Sequence, residues 1–268
     1  MTDLGRAAFG DRPDLVITSV PRDPESRWLA AVALGGQGRY ARAAALLNDL
    51  LPATVMASLA ASTLASHRRQ LGGHGSARPL DAMALAVAPP GAVEARSDAL
   101  LGLAADALGL GRLAEARRLI ELAHRLGAAG WRAEIRVHWV SAEVELGAGN
   151  PELAVPAAAR AAELAGAAGS IRHRLKSALI LGAALATGDR ERARKLLLAT
   201  RAEASELGLL PLVWPCALLL AELDPEATRA HRRCAGDALH SVLRRADPIG
   251  RRIAEHSAWM PDPAGLTG

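Results

Sequence analysis

Apolar residues recur along the chain at helical spacing. Leu100, Leu103, Ala104 and Ala107 precede Gly111 at steps of three or four positions, and this pattern is typical of a helix with one buried face. Segments of the same kind fill most of the chain and are separated by glycine or proline. The pattern predicts helices over 26–36, 40–51, 54–71, 78–87, 93–109, 112–127, 131–147, 151–166, 170–187, 189–207, 209–223 and 225–246, and a short terminal helix over 248–258.

A glycine recurs between the members of successive helix pairs. The predicted register is Gly38, Gly75, Gly111, Gly149 and Gly188, with intervals of 37, 36, 38 and 39 residues. In four of the five repeats an alanine follows five positions later, and the second repeat has Leu80 there. A turn between antiparallel helices needs a residue that tolerates a positive φ, and a small residue where the helices approach closely. The register therefore predicts about six stacked helical hairpins.

The turn motif G-[R/N/D]-x-x-x-A and the segment WLAAVALGGQGRYARAAALL resemble the tetratricopeptide repeat family over about residues 26–223. The resemblance implies an all-α fold, a right-handed α-α superhelix with a concave groove lined by the first helix of each hairpin. The period of 36–39 residues exceeds the 34 residues usual in the family, which predicts longer helices.

The repeats predict a single domain over residues 25–258. Pro13, Pro21 and Pro24 disfavour helix near the N-terminus, so residues 1–24 are expected to form a tail or an extended strap over the first hairpin. Residues 259–268 are expected to be disordered.

Composition narrows the class of protein. Half of the residues are hydrophobic, mainly Ala and Leu, which favours helix over sheet. Only two of the 32 basic residues are lysines, a bias expected of a GC-rich bacterial genome. The net charge of +4 gives little support for a protein that coats nucleic acid. The two cysteines form no C-x-x-C pair, and the N-terminus lacks the apolar core of a signal peptide, so a cytoplasmic protein is expected. Prolines interrupt the most apolar stretch, so no membrane span is expected.

Motifs that would indicate catalysis or a cofactor are absent from the sequence. No phosphate-binding glycine loop follows a strand, and no nucleophile elbow or zinc-protease signature is present. His231, Cys234 and His240 are candidates for a metal site, but a structural zinc site usually needs four ligands, so a polar helix face is favoured. The sequence predicts neither an enzyme nor a bound cofactor or metal.

The family resemblance implies that groove residues lie 13, 10, 6, 3 and 2 positions before each turn glycine. Aromatic and arginine side chains of this kind are common at binding hot spots, although the two tryptophans could instead pack between hairpins. The Lys and Asn of the family's carboxylate clamp are absent at these positions. The resulting candidates for partner binding are Trp28, Arg69, Asp98, Arg136, Trp139 and Glu143.

Two basic segments lie outside these groove positions. Arg172, Arg174 and Lys176 form a secondary basic patch at the start of the fifth repeat, and residues 225–256 contain seven arginines against four acidic residues. Arginine binds carboxylates or phosphates, although solvated helix faces have similar charge.

The leading hypothesis is a non-enzymatic interaction module that binds a protein segment in its groove, within bacterial regulation. The first alternative is a nucleic-acid-linked transcriptional regulator that uses the Arg-rich C-terminal helix. The second is a structural scaffold or homodimer joined through an end hairpin.

Overall fold

The computed structural model describes residues 1–51, 55–127, 130–262 and 265–266. These residues form fourteen α-helices and one 3₁₀ helix, without a strand, and consecutive helices pack against one another. The predicted all-α class is confirmed. The helices are α1 (Asp3–Phe9), α2 (Pro24–Gly36), α3 (Tyr40–Asn48), α4 (Val55–Gln70), α5 (His74–Val87), α6 (Val93–Gly109), α7 (Leu113–Arg125), α8 (Trp131–Gly147), α9 (Pro151–Ala167), α10 (Ile171–Leu185), α11 (Arg190–Glu206), α12 (Leu210–Leu223), the 3₁₀ helix Pro225–Ala227, α13 (Thr228–Arg244) and α14 (Pro248–Glu255).

The turn glycine of the second hairpin differs from the prediction. Gly38, Gly111 and Gly149 have φ values of +73°, +74° and +78° at the expected turns, whereas Gly188 lies at its expected turn without a positive φ. In the α4/α5 turn the glycine with positive φ, +77°, is Gly72. Gly75 lies inside α5, which begins at His74 rather than at 78. The assignment of Gly75 was wrong, and the register from Gly72 to Gly111 spans 39 residues.

The corrected register also explains the small residues. Counted from Gly72, the fifth position is Ala77 rather than Leu80, so every repeat has alanine there. The side chains of these alanines are fully buried, because a larger residue would separate the two helices of each hairpin. The residues are Ala43, Ala77, Ala116, Ala154 and Ala193.

The N-terminal segment is partly helical. Thr2 caps α1 by accepting a hydrogen bond from the Gly5 N–H at 3.1 Å, and the helix ends before Pro13. The expectation of a poor helix was therefore wrong for residues 3–9. Beyond α1, the Gln37 side chain donates to the carbonyls of Pro13 and Leu15, both at 2.9 Å. This part of the segment lies as a strap on the first hairpin.

The two ends of the chain meet. The Ala41 N–H donates to the Arg245 carbonyl at 2.8 Å, and Arg68 Nη1 lies 2.7 Å from Asp247 Oδ2. A buried apolar cluster joins the first two hairpins to the last helices; it contains Tyr40, Leu71, Val242, Ala246 and Ala254. The C-terminal helices are thereby fixed to α3 and α4.

The residues after α14 contact the ends of α4 and α6. Ser257 Oγ donates to the Gly72 carbonyl at 2.9 Å, and Trp259 Nε1 donates to the Gly109 carbonyl at 3.2 Å. Disorder predicted from residue 259 was therefore wrong at Trp259, whereas residues 263–264 and 267–268, also expected to be disordered, lie outside the described residues. Among the described helices, none has both the length and the apolarity that a bilayer crossing requires.

Candidate functional site

A cavity of about 400 Å³ lies between α2, α4, α6, α8, α10 and α12, the first helices of the six hairpins. We call it the central cavity. Side chains three or four positions apart share a helix face, so each helix contributes several residues to the wall. All six predicted partner-binding residues border the cavity, together with two residues of the basic patch: Trp28, Arg69, Asp98, Arg136, Trp139, Glu143, Arg172 and Lys176.

Trp28 and Trp139 pack in the core and also border the central cavity. Both are more than nine-tenths buried. Trp28 Nε1 donates to Thr63 Oγ1 at 3.0 Å, and Trp139 Nε1 donates to Ser177 Oγ at 2.7 Å. Each indole therefore has its polar atom satisfied by the neighbouring hairpin. The two tryptophans therefore both pack between hairpins and line the groove.

Aromatic rings continue between the two tryptophans. The ring of His173 stacks on Trp139, with centroids 5.2 Å apart, and Phe9 from α1 lies 5.5 Å from Trp28. Burial, and then the charge of Arg172, hold the pKa of His173 well below its usual value. This part of the wall is therefore aromatic and the imidazole is neutral at physiological pH.

Arg69 belongs to a buried ion cluster rather than to a free binding surface. Its guanidinium donates to Asp81, to Asp106 Oδ1 at 2.9 Å and to the Gly102 carbonyl at 3.3 Å. Both carboxylates are fully buried, and burial raises the pKa of Asp81 and of Asp106. Arg69, which borders the cavity, therefore pairs with two buried acidic groups that do not line it.

Asp98 joins two arginines of α8. It accepts from Arg132 Nη2 at 2.8 Å and from Arg136, and Arg132 also donates to Glu94 Oε1 at 2.6 Å. The Arg132 guanidinium lies 4.3 Å from the Phe9 ring centroid. Sequence reasoning missed Arg132, although its spacing of four from Arg136 places both on one helix face.

The secondary basic patch divides between two surfaces. Arg172 and Lys176 border the central cavity, and Lys176 Nζ lies 3.5 Å from Glu143 Oε1. Arg174 points away, pairs with Glu203, and its side chain is 44% exposed. Positions four apart share a helix face, whereas positions two apart do not, which accounts for the division.

Arg172 differs from the other cations of the wall. It forms no hydrogen bond or ion pair with any of the described residues, and its Nε is buried without an acceptor. Burial, and then the charges of Arg132 and Arg136, lower the pKa of Arg172 to about 10. The guanidinium is therefore still positively charged at neutral pH.

The lining of the central cavity has an excess of positive charge. Five cationic side chains, those of Arg69, Arg132, Arg136, Arg172 and Lys176, face two carboxylates, those of Asp98 and Glu143. A cavity whose lining has an excess of one sign of charge attracts ligands of the opposite sign. The arrangement suits a ligand with aromatic or apolar parts and an anionic group.

Among the residues that the structure describes, no three His, Cys, Asp or Glu side chains converge in the manner of metal ligands. His231 Nδ1 lies 2.6 Å from Arg201 Nη1, and its Nε2 lies 3.6 Å from Asp224. His231 on α13 thus contacts Arg201 of α11 and Asp224, which follows the end of α12.

Comparison with known proteins gives no further assignment. The sequence matches no family model, and no curated protein was found to be similar to it. The site is therefore interpreted from the residues and contacts of this chain.

Proposed function

We propose that this protein is a non-enzymatic binding module, with its hairpins in a right-handed, tetratricopeptide-like superhelix, and that it receives a segment of another protein in the central cavity. The observation that supports the proposal most is the cavity itself, which borders all six hairpins. Stacked helical repeats commonly bind through the concave surface that their inner helices form.

The size and lining of the cavity define the kind of ligand. Its volume of about 400 Å³ is near the lower end of the range of about 300–1,000 Å³ for small-ligand sites, so it accommodates a few residues and not a folded domain. Buried tryptophan and arginine side chains are common anchors in protein recognition. A short or terminal segment with apolar and anionic side chains fits this wall.

A cavity-filling variant tests the proposal. Ala105 is half-buried and borders the central cavity, whereas Ala159 is exposed on the outer helix α9. Ala105→Trp fills the cavity, and Ala159→Trp introduces the same side chain on the outside. Random twelve-residue peptides displayed on phage are selected on the wild-type protein, and their affinities for all three proteins are measured by fluorescence anisotropy.

We expect selected peptides to bind wild type and Ala159→Trp equally and to lose at least about 100-fold in affinity for Ala105→Trp, because the indole occupies their place. Circular dichroism establishes that both variants are folded. Equal binding to Ala105→Trp, or failure to select any peptide, would contradict the proposal. Reproducible turnover of a substrate that depends on cavity residues would contradict its non-enzymatic part.

A second candidate function is nucleic-acid binding through the C-terminal helices. All seven arginines between residues 225 and 256 are exposed, and none forms an ion pair with a described residue; they are Arg229, Arg232, Arg233, Arg244, Arg245, Arg251 and Arg252. Phosphate contacts release counterions, so affinity for a DNA duplex would fall steeply with added salt. Absence of salt-sensitive binding to duplex DNA and to RNA in a mobility-shift assay would exclude this candidate.

A further inference from the structure

The cations that border the central cavity are not equivalent. Arg69, Arg132, Arg136 and Lys176 each have a carboxylate oxygen within 4.0 Å. Among the described residues that line the cavity, Arg172 is the cation without such a partner. Arg172 is partly buried, with its Nε shielded from solvent. Because even partial burial of an unpaired charge costs free energy, binding of an anion to this guanidinium is favourable.

The surroundings of Arg172 increase its preference for an anion. Arg132 and Arg136 lie close enough to act on its charge. His67 and His173 are nearby and neutral at physiological pH, since burial lowers the pKa of each. The positive charge at this point of the wall is therefore not neutralised from within the protein.

The backbone of α2 positions the side chain of Arg172. A Cβ atom at Gly36 would lie 2.8 Å from Arg172 Cδ. Glycine at this position lets the aliphatic part of the arginine lie against the end of α2 while the guanidinium borders the cavity.

The anion that fits best is a carboxylate. Most of the other cationic charge is already opposed by Asp98, Glu143 and the pair Asp81 and Asp106, which leaves about one unpaired guanidinium for the ligand. A guanidinium donates two parallel hydrogen bonds to a carboxylate, and this geometry is among the strongest of charge-assisted pairs.

We propose that Arg172 forms the anion subsite of the central cavity and binds a carboxylate of the protein segment, either its C-terminal carboxylate or an Asp or Glu side chain. This inference rests on the proposed function and adds the chemical class of the ligand group. Lys176 lies one helical turn further along α10, where it pairs with Glu143 and its Nζ approaches the Trp139 ring at 4.5 Å.

Three pools of N-acetylated tripeptides test the subsite. The first has free C-terminal carboxylates and no acidic side chain, the second has amidated C-termini and one Asp or Glu, and the third has amidated C-termini and no acidic residue. Retention is measured by equilibrium dialysis and mass spectrometry. The proteins are wild type, Arg172→Gln, Ala105→Trp and the matched control Arg174→Gln, which changes an exposed arginine on the same helix.

We expect wild type and Arg174→Gln to retain at least one of the two acidic pools, the first or the second, and to release the third pool, which has no carboxylate. Arg172→Gln should lower the retained affinity by about 10- to 100-fold, the effect of losing a hydrogen-bonded charged partner. Whether the first or the second pool is retained identifies the source of the carboxylate. The melting temperature of unliganded Arg172→Gln should equal or exceed that of wild type, because a partly buried charge without a partner has been removed.

The failure of the subsite and the failure of the proposed function give different results. Equal retention of the acidic pools by wild type and Arg172→Gln, or a lower melting temperature of the variant, overturns the subsite. If wild type retains the third pool and Ala105→Trp does not, the subsite is overturned and the binding function is left intact. No retention of any pool by wild type contradicts both.

Discussion

Replacement of Arg69 by leucine should destabilise the fold in a way that depends on pH. The Arg69 guanidinium joins α4 to Asp81 on α5 and to Asp106 on α6, and both carboxylates are fully buried. Leucine keeps part of the aliphatic volume and removes the positive charge. Two buried carboxylates would then be left without a cation.

The expected magnitude follows from this geometry. Breaking a buried ion pair by removing one partner costs about 3–5 kcal/mol of unfolding free energy. Protonation of the two carboxylates removes their negative charge and so reduces this cost. A carboxyl with a raised pKa in the folded state is most stabilising at low pH, and its contribution is lost as the pH rises through the folded pKa. Since the variant lacks the cation, its folded state binds more protons than that of wild type. The loss of unfolding free energy caused by the substitution should therefore shrink, as the pH falls, by about 1.4 kcal/mol per pH unit for each additional proton.

Urea unfolding followed by circular dichroism measures this effect at pH 8 and pH 5.5. Arg117→Leu is the matched control, because Arg117 forms an exposed ion pair with Glu145 at 2.9 Å, and such pairs contribute about 0–1 kcal/mol. We expect a loss of about 3–5 kcal/mol for Arg69→Leu at pH 8, and a smaller loss at pH 5.5. A loss below about 1 kcal/mol, or one equal at both pH values, would refute the reasoning.

Three further variants test separate contacts. Asp247→Ala removes a partly buried ion pair with Arg68 and the cap of α14; it should cost about 2–4 kcal/mol and accelerate hydrogen exchange in α14, and unchanged exchange would contradict this. Burial, and then the charge of Arg172, lower the pKa of His67 from 6.5 to about 3, so the unfolded state binds more protons between these values and stability falls as the pH drops below 6.5. His67→Gln should therefore reduce the stability lost between pH 7 and pH 5 by about 2 kcal/mol in urea titrations, and an unreduced loss would count against a buried neutral imidazole. Gly36→Ala places a methyl group against Arg172; it should weaken peptide binding in anisotropy titrations by about 1 kcal/mol, several-fold in affinity, without lowering the melting temperature, and unchanged affinity would contradict the positioning role.

The helices and the inner face of the array could be predicted from the sequence because they depend on local spacing. Helices α2 to α14 lie at the predicted places, with ends that differ by at most about four residues, the largest difference being the start of α5. Residues such as Trp28 and Trp139 fall on the inner face by counting from the turn. The error at the second turn arose because Gly72, Gly73 and Gly75 are all available there, and only the backbone dihedral selects Gly72.

The pairing of charges could not be predicted in the same way. Asp98 meets Arg132 and Arg136 from the next hairpin, 34 and 38 residues along the chain. Arg68 meets Asp247 across 179 residues. Charge counts in the sequence do not tell which arginine is left without an acidic partner, because the pairing depends on how the hairpins pack.

The structure of the protein with a selected acidic peptide tests the central claim most directly. Crystals of the wild-type complex should show the peptide between α2, α6, α8 and α10, with a carboxylate within hydrogen-bond distance of the Arg172 guanidinium, about 2.7–2.9 Å. A peptide bound on the outer helices, or one in the cavity whose carboxylate is remote from Arg172, would contradict the account.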